Sequence, residues 1–311
     1  MGVSKFTGKL HSRPPGRPTS PEAPAFGYNR PMTRPPWWFW AGLALIAAGM
    51  ALAAAGVAPV AQNLTPLCWT GFIVAVDGWL ARRGRSWLRD APRELAWMAA
   101  ISIPSWLLFE FYDRPRFWSA AGPELWWHYS GLPPWPWRGL GYAWSFATIT
   151  PALLLLAELL EPAAERLAGR GAGGKVPGEL AAALTGVGAI LAAIPFLWPS
   201  PYFAADVWLA WPLLLDPINR RLGRPSWIAD LEGGRRSRPL ALLAAGIVCG
   251  VLWESWNMLA SARWRYTVPF LGEVKVYEMP VLGFLGFAPF ALAAFDLYHF
   301  ARGLLPGRAP A

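Results

Sequence analysis

Charged residues are scarce in this sequence: they make up 15% of the 311 residues, whereas hydrophobic residues make up 55%. An ordinary soluble domain carries about 25% charged residues, so this composition excludes one. Tryptophan, by contrast, is abundant at 21 residues, many of them near the ends of apolar runs. Tryptophan is enriched where membrane helices meet the interface. The composition therefore predicts an all-α, multi-pass membrane helix bundle.

Cysteine and histidine are also few, with two and three residues respectively. Cys68 and Cys249 both lie in apolar runs, and no Cys-x-x-Cys or Cys/His cluster occurs. The sequence therefore has no zinc or disulfide signature. Three histidines are too few for a histidine-rich di-iron centre. We predict no metal site and no cofactor.

Apolar runs predict eight membrane spans, several at the short end of the ~17–25 residues that a spanning helix needs. Pro212 and Asp216 interrupt the sixth, which makes it the least regular. Residues 1–36 are rich in proline and basic residues and poor in aliphatic ones, which predicts a disordered cytoplasmic tail. The predicted spans are residues 37–60, 64–81, 94–112, 140–160, 179–198, 203–219, 239–258 and 279–299.

The distribution of positive charge predicts the orientation of these spans. With the N-terminus inside, 22 of the 28 Lys and Arg residues fall in cytoplasmic segments and 6 in external loops. Because Lys and Arg concentrate on the cytoplasmic side, we predict that both termini are cytoplasmic, in a bacterial inner membrane. The net charge of +9 comes from these loops. We therefore predict membrane lipids, and no nucleic acid, as partners; the sequence leaves the oligomeric state open.

The two halves of the chain match in the order of their polar residues, which predicts an internal duplication. Each half holds four predicted spans, so the halves have the same orientation. The sequence thus predicts two parallel four-helix repeats, residues 37–165 and 179–300, related by an axis along the membrane normal. The matched pairs include Trp69 with Trp208, Asp77 with Asp216, Glu110 with Glu254, Asp113 with Asn257, Tyr129 with Tyr266, and Glu158 with Asp296.

A first cluster of polar residues lies at the predicted outer ends of spans. Glu254 and Asn257 are three residues apart and so share a helix face, and a carboxylate within an apolar run is a candidate functional group. We predict a polar pocket near the outer face. The candidate catalytic residues are Glu254, Glu278, Asn257 and Glu110, and the candidate binding residues are Tyr266, Arg265, Trp253, Trp264, Tyr129 and His128. In the alternative interpretation, Glu110 and Glu254 only pair with Arg265, Arg116 or Lys275 and hold the loops.

A second cluster lies at the predicted cytoplasmic ends, where Asp77 and Asp216 are each followed by arginines, a Ser-Trp pair and a further Asp. Arg220, Arg221 and Arg224 are candidates for binding a lipid headgroup, because the guanidinium fork suits phosphate. In the other interpretation these arginines only set the membrane orientation, since every predicted cytoplasmic loop is basic. The Asp residues would then cap a short interfacial helix or pair with an arginine.

Within residues 252–296 the chain has Trp253-Glu254, then Trp264, Tyr266 and Pro269, then Glu278 and Pro280 before a Gly/Phe-rich run. This order resembles that of the membrane lycopene cyclase domain. That family is similar in being used as two copies, each a small helix bundle. The resemblance implies an isoprenoid or other lipid substrate. Here Glu278-Met279-Pro280 replaces the family's Pro-x-Glu-Glu motif, and the first half has no acidic residue at that position.

Three functions remain open at the level of sequence. An enzyme acting on an apolar lipid would use Glu254 or Glu278 as a proton donor and need no cofactor. A transporter would use the same carboxylates as proton or cation sites between the repeats. A scaffold would use them only as structural pairs. A cavity lined by Trp and Phe and open to the bilayer favours the first function, a polar path to both faces the second, and the lack of a sizeable cavity the third.

Overall fold

The computed structural model of the protein describes residues 32–114, 125–269 and 272–306. These residues form a bundle of α-helices with two small two-stranded sheets, which confirms the predicted fold class. The predicted tail lies almost entirely outside the described residues. The helices are α1 Trp37–Ala54, α2 Ala58–Gln62, α3 Leu64–Arg82, α4 Trp87–Asp90, α5 Pro92–Asp113, α6 Trp137–Ala168, α7 Gly178–Leu197, α8 Asp206–Arg221, α9 Trp227–Glu232, α10 Ser237–Leu259 and α11 Phe287–Arg302. The strands are β1 Trp127–Ser130, β2 Arg263–Tyr266, β3 Lys275–Val276 and β4 Met279–Pro280, and 3₁₀ turns cover Pro201–Ala204 and Val281–Gly286.

Seven helices of the described residues are long and apolar enough to cross a membrane. They are α1, α3, α5, α6, α7, α10 and the stretch Val281–Arg302, which joins the second 3₁₀ turn to α11. The sixth predicted span corresponds to α8, which has 16 residues, contains Pro212 and Pro217, and is not among the seven. By length and composition, seven of the eight predicted spans therefore qualify, and the sixth does not.

Contacts in the loops show how the helices run between the two ends of the bundle. One end, here called the strand end, carries β1 after α5 and β2 after α10. The Ser261 amide donates to the Ala61 carbonyl at 2.9 Å, and Trp126 Nε1 donates to the Ser200 carbonyl at 3.1 Å. The region between α1 and α3 and the C-terminal end of α7 therefore also lie at the strand end. At the opposite end, here called the basic end, the Gly171 amide donates to the Gly234 carbonyl at 2.8 Å.

Helix α8 connects these two ends although it is short. It begins soon after Ser200 at the strand end, and near its C-terminus Arg220 pairs with Glu232, at 2.7 Å, at the basic end. Its 16 residues span about 24 Å at about 1.5 Å per residue, less than the ~30 Å of a hydrocarbon core. The helix packs against α7 and α11. Neighbouring helices thus cover α8, which its length and composition alone do not identify as a membrane span.

Two short helices at the basic end are built in the same way. The Ser86 and Ser226 hydroxyls cap α4 and α9 by accepting a hydrogen bond from the amide three residues later. Asp77, in α3, accepts from the Ser86 hydroxyl at 2.8 Å and from the Trp87 amide at 2.6 Å. Asp216, in α8, accepts from the Ser226 hydroxyl and the Trp227 amide, both at 2.7 Å. These bonds offset the cost of burying each carboxylate.

Candidate functional site

Strands β1 and β2 pair in antiparallel fashion across the strand end. Trp127 lies opposite Tyr266, and Tyr129 lies opposite Trp264. Side chains alternate between the faces of a strand, so these four aromatic side chains share one face of the ladder. All four line a cavity beneath it. The ladder therefore joins the segment that follows α5 to the segment that follows α10 directly above this cavity.

Glu110, near the end of α5, accepts two hydrogen bonds on Oε1. The donors are the Tyr129 hydroxyl at 2.5 Å and Trp106 Nε1 at 2.8 Å. Burial, and after it the neighbouring Glu110 carboxylate, raises the pKa of Tyr129 well above the usual value for tyrosine. The phenol therefore keeps its proton and donates it. Three residues after Glu110, Asp113 Oδ1 accepts from the amides of Trp126 and Trp127 at 2.7 and 3.1 Å and so fixes the start of β1.

Glu254, in α10, is fully buried and sits at the corresponding place below β2. Its Oε1 accepts from Trp264 Nε1 and from the Tyr266 hydroxyl, both at 3.2 Å, whereas Oε2 has no hydrogen-bond partner. Asn257 holds the Trp264 backbone, accepting from its amide at 3.0 Å and donating to its carbonyl at 2.9 Å. The two residues that share a helix face thus converge on Trp264. Burial and then Glu254 raise the pKa of Tyr266 well above its usual value.

The cavity below the ladder has a volume of about 520 Å³, and aromatic side chains from both halves of the chain dominate its walls. Representative lining residues are Trp69, Trp106 and Tyr129 from the first half and Trp208, Trp253 and Tyr266 from the second. The cavity differs from the predicted polar pocket, because its lining is mainly apolar. The candidate catalytic residues Glu110, Glu254, Asn257 and Glu278 do not line it. Glu110 and Glu254 contact its wall through the two tyrosine hydroxyls.

The cavity reaches the surface of the bundle beside α8. Leu209, Leu282 and Leu285 line it and are 47%, 45% and 66% exposed. Among the described residues, the lining includes none of the buried carboxylates near the basic end, Asp77 and Asp216. The cavity is therefore confined to the strand-end half of the bundle, with an apolar rim on its α8 side.

The remaining candidates of the first cluster lie outside the cavity. Arg265 pairs with Glu278, Nε to Oε1, at 3.7 Å, and Lys275 Nζ donates to the Tyr266 carbonyl at 3.1 Å. The expectation that Arg265 or Lys275 would hold Glu110 or Glu254 is therefore wrong, and Arg116 lies outside the described residues. His128 lies opposite Arg265 in the ladder, on the face turned away from the cavity.

Two of the three arginines proposed from the sequence as a headgroup site contact protein groups. Arg220 donates to both carboxylate oxygens of Glu232 at 2.8 and 2.7 Å. Arg224 donates to the carbonyls of Phe300 at 2.9 Å and Gly303 at 3.2 Å. Arg221 is exposed. Arg220 and Arg224 therefore hold the basic end together, and headgroup binding by these residues stays a prediction.

Sequence reasoning did not identify several residues that line the cavity. Trp106 and Tyr142 lie in long apolar helices, where nothing in the local sequence separates them from the core. Arg138 carries no motif. Trp208 offered a signal, because it is the match of Trp69 in the two halves, and both side chains line the cavity.

No family model matches this chain, and no curated protein or solved structure matches it.

Proposed function

We propose that this membrane protein binds an apolar lipid, with isoprenoids as the class that the sequence resemblance implies, and protonates it through Tyr266 and Glu254. The observation that carries the proposal is the aromatic cavity with two tyrosine hydroxyls in its wall, each hydrogen-bonded to a carboxylate behind it. The volume of about 520 Å³ falls in the usual range for ligand pockets, about 300–1,000 Å³.

The proposed step is a proton transfer to a carbon–carbon double bond. For this step Glu254 is protonated and its hydrogen bond with Tyr266 is reversed relative to the structure, so that the carboxyl group donates to the phenol oxygen while the Tyr266 proton moves to one carbon of the double bond. The immediate result is a carbocation in the cavity and the Glu254 carboxylate behind Tyr266, so charge balances. Loss of a proton from a neighbouring carbon, returned to Glu254 through Tyr266, gives a lipid with a moved double bond and restores the starting state of the protein. Trp253 and Trp106 both line the cavity, and indole rings there are suited to cation–π stabilisation of the developing charge.

Matched contacts support the further proposal that the two halves arose by duplication. The Tyr129–Glu110 bond corresponds to the Tyr266–Glu254 bond. At the basic end, Trp87 Nε1 donates to Glu158 at 2.7 Å, and Trp227 Nε1 donates to Asp296 at 3.1 Å. The β1–β2 register is also symmetric between the two halves: Trp127 lies opposite Tyr266, and its match Trp264 lies opposite Tyr129. On this proposal each half contributes one Tyr–Glu pair to one shared cavity.

The other functions that the sequence left open have less support. Transport requires a polar path that reaches both ends, whereas the described lining residues stay near the strand end and are mainly apolar. A scaffold requires no cavity of this size. The exposed Leu209 and Leu285 on the rim fit entry of an apolar chain from the bilayer.

Lipid retained through purification tests the proposal. Ser145 lines the cavity from α6, whereas Ala143, two residues earlier, is exposed and lies outside the lining. We expect wild-type protein and the Ala143→Trp control to carry a stoichiometric lipid, identified by mass spectrometry, and Ser145→Trp to lose most of it because the indole fills the cavity. Equal lipid content in all three proteins, or none in wild type, would refute the proposal.

A further inference from the structure

One charged side chain, Arg138, occurs among the described residues that line the cavity. It lies in the first turn of α6, at the strand end. Its Nε donates to the Pro133 carbonyl at 3.1 Å, and none of the described carboxylates pairs with its guanidinium. As far as the described residues show, four of the five N–H donors of this group are thus left for other partners.

Nothing in the helix itself explains a positive charge at this position. The N-terminal turn of a helix carries positive partial charge and favours acidic residues, so Arg138 is placed against the helix dipole. It is also partly buried against a mainly apolar lining. Removing a charge from water without a counter-ion is costly. A negatively charged group in the cavity would remove both penalties.

Neutral polar groups lie on the same side of the cavity as Arg138. Gln62, the last residue of α2, and Asn63, which immediately precedes α3, line the cavity, and α3 packs against α6. Asn63 Oδ1 is 3.2 Å from the position that a Cβ on Gly141 would occupy, so the beginnings of the two helices are close here. The wall formed by α3 and α6 is therefore the polar, positively charged side of the cavity.

The wall formed by α8 and the 3₁₀ turn before α11 is apolar. It presents Leu209, Leu282 and Leu285, together with Ala204. Between the two walls lie the aromatic side chains already described. The cavity is thus amphipathic, with its single charge on one side and its apolar rim on the other.

From this arrangement we infer that the bound lipid is an anionic amphiphile whose carboxylate or phosphate group binds Arg138 and whose apolar chain extends towards Leu285. The planar guanidinium fork fits a carboxylate or phosphate through two parallel hydrogen bonds. The inference rests on the proposed function and revises it in one respect: the lipid carries one anionic group beside its apolar chain and has a defined orientation in the cavity.

Brominated probes of one chain length test the inference, because bromine quenches the fluorescence of a tryptophan that it contacts. Full-length, delipidated protein in a non-ionic detergent is titrated with the dibromo-octadecyl chain as a carboxylic acid, as a phosphate monoester and as a neutral alcohol. We expect at least one anionic probe to bind about tenfold or more tightly than the alcohol, as charged hydrogen bonds predict. Whichever anion binds more tightly separates a fatty-acid type of ligand from a lipid phosphate. Inorganic phosphate should not displace either one, because it lacks the apolar chain.

Variants assign the preference to Arg138. Arg138→Gln should abolish the preference for the anionic probes without abolishing binding of the alcohol, and Arg138→Lys should retain part of it. Arg263, in β2 at the same end but outside the cavity lining, is the control, and Arg263→Gln should keep the wild-type preference. Thermal unfolding of each variant checks that the loop held by the Pro133 contact is still folded.

The outcomes distinguish this inference from the proposed function. Equal binding of all three probes to wild type, or an undiminished preference in folded Arg138→Gln, overturns the headgroup assignment. If Ser145→Trp still prevents binding of every probe in that case, the cavity remains a lipid site and only the inference fails. If no probe quenches the fluorescence of wild type, the proposed function fails with it.

Discussion

Glu254 combines a satisfied oxygen with an unsatisfied one. Oε1 receives hydrogen bonds from Trp264 and Tyr266, while buried Oε2 has no partner. A carboxylate placed only to hold the loop would be expected to use both oxygens, since an unpaired buried polar atom is costly. Groups left unsatisfied in this way often mark functional sites. Substitutions can separate the structural role of these hydrogen bonds from the chemical role that we propose for the residue.

Glu254→Gln and Glu254→Leu make that separation. Gln keeps an acceptor for Trp264 and Tyr266, so we expect the free energy of unfolding to fall by less than about 1 kcal/mol. Leu leaves the Tyr266 hydroxyl without its acceptor, at about 1–3 kcal/mol, whereas Trp264 Nε1 keeps the Tyr266 oxygen as an acceptor at 3.0 Å. The unfolding temperature should therefore fall clearly. Both effects are measured by thermal unfolding in detergent.

The proposed chemical role is tested by analysing the lipids of cells that produce each protein. Folded Glu254→Gln protein should still retain lipid but give no converted product by mass spectrometry, because an amide cannot supply the proton. Exposed Glu273→Gln serves as the control and should behave as wild type. A Glu254→Gln protein that yields the wild-type lipid products would leave Glu254 with its structural role alone.

Local spacing predicted some residue contacts and could not predict others. Glu254 and Asn257 share a helix face, and both indeed contact Trp264, a few residues along the chain. The contact of Tyr129 with Glu110 crosses a loop, and its position in the wall depends on pairing with a strand more than a hundred residues away. A single sequence carries no signal for such a distant register. Arg138 was missed for a related reason, because its significance comes from the lack of other charges in the lining.

At the scale of elements, the β1–β2 ladder connects the two halves and covers the cavity. Ser130 lies opposite Arg263 at its outer end. Antiparallel partners have Cα atoms about 4.5–5.5 Å apart, which is within the range for a disulfide. The register can therefore be tested by cross-linking, and the natural cysteines Cys68 and Cys249 are both buried and so do not interfere.

We expect the pair Ser130→Cys and Arg263→Cys to form a disulfide under mild oxidation. A protease site inserted at residue 174, between α6 and α7, gives the readout: the cross-linked halves stay together on a non-reducing gel after cleavage and separate after reduction. Ser130→Cys with Arg265→Cys is the matched control, because position 265 lies opposite position 128. More efficient cross-linking in the control would mean that the register is wrong.

Helix α8 shows why spans are harder to predict than membrane location. Its run of apolar residues indicated a span, whereas Pro212 and Pro217 and its 16 residues argue against one. Packing against α7 and α11 resolves the conflict, because a short helix covered by neighbours can still join the two ends. The first predicted span, residues 37–60, was too long, because α1 ends at Ala54. The chain turns at Gly56, whose φ of 78° belongs to the left-handed region that favours glycine.

At the scale of the whole molecule, composition was sufficient for the class of fold. A chain that is 55% hydrophobic cannot hide its apolar surface in a soluble bundle of this size, and seven helices of the described residues carry that surface outward. The character of the cavity was not predictable in the same way. Carboxylates at matched positions indicated a polar pocket, but the packing of the two halves places aromatic rings in the wall and the carboxylates behind them. Which side chains form the wall and which lie behind it depends on how the helices of the two halves pack together.

Exposed residues at the two ends of the bundle allow the predicted membrane orientation to be tested by chemical labelling. Residues 130 and 267 lie at the strand end and residues 170 and 231 at the basic end, and all four are exposed. Because positive residues concentrate on the cytoplasmic side, the basic end should face the cytoplasm.

Single cysteines at these positions, in a chain whose natural cysteines are buried, should therefore react differently with a membrane-impermeant maleimide. Positions 130 and 267 should label in intact spheroplasts, and positions 170 and 231 only after permeabilisation. The reverse pattern would invert the orientation and keep the architecture, whereas labelling of 130 and 170 from the same side would show that α6 does not cross the membrane.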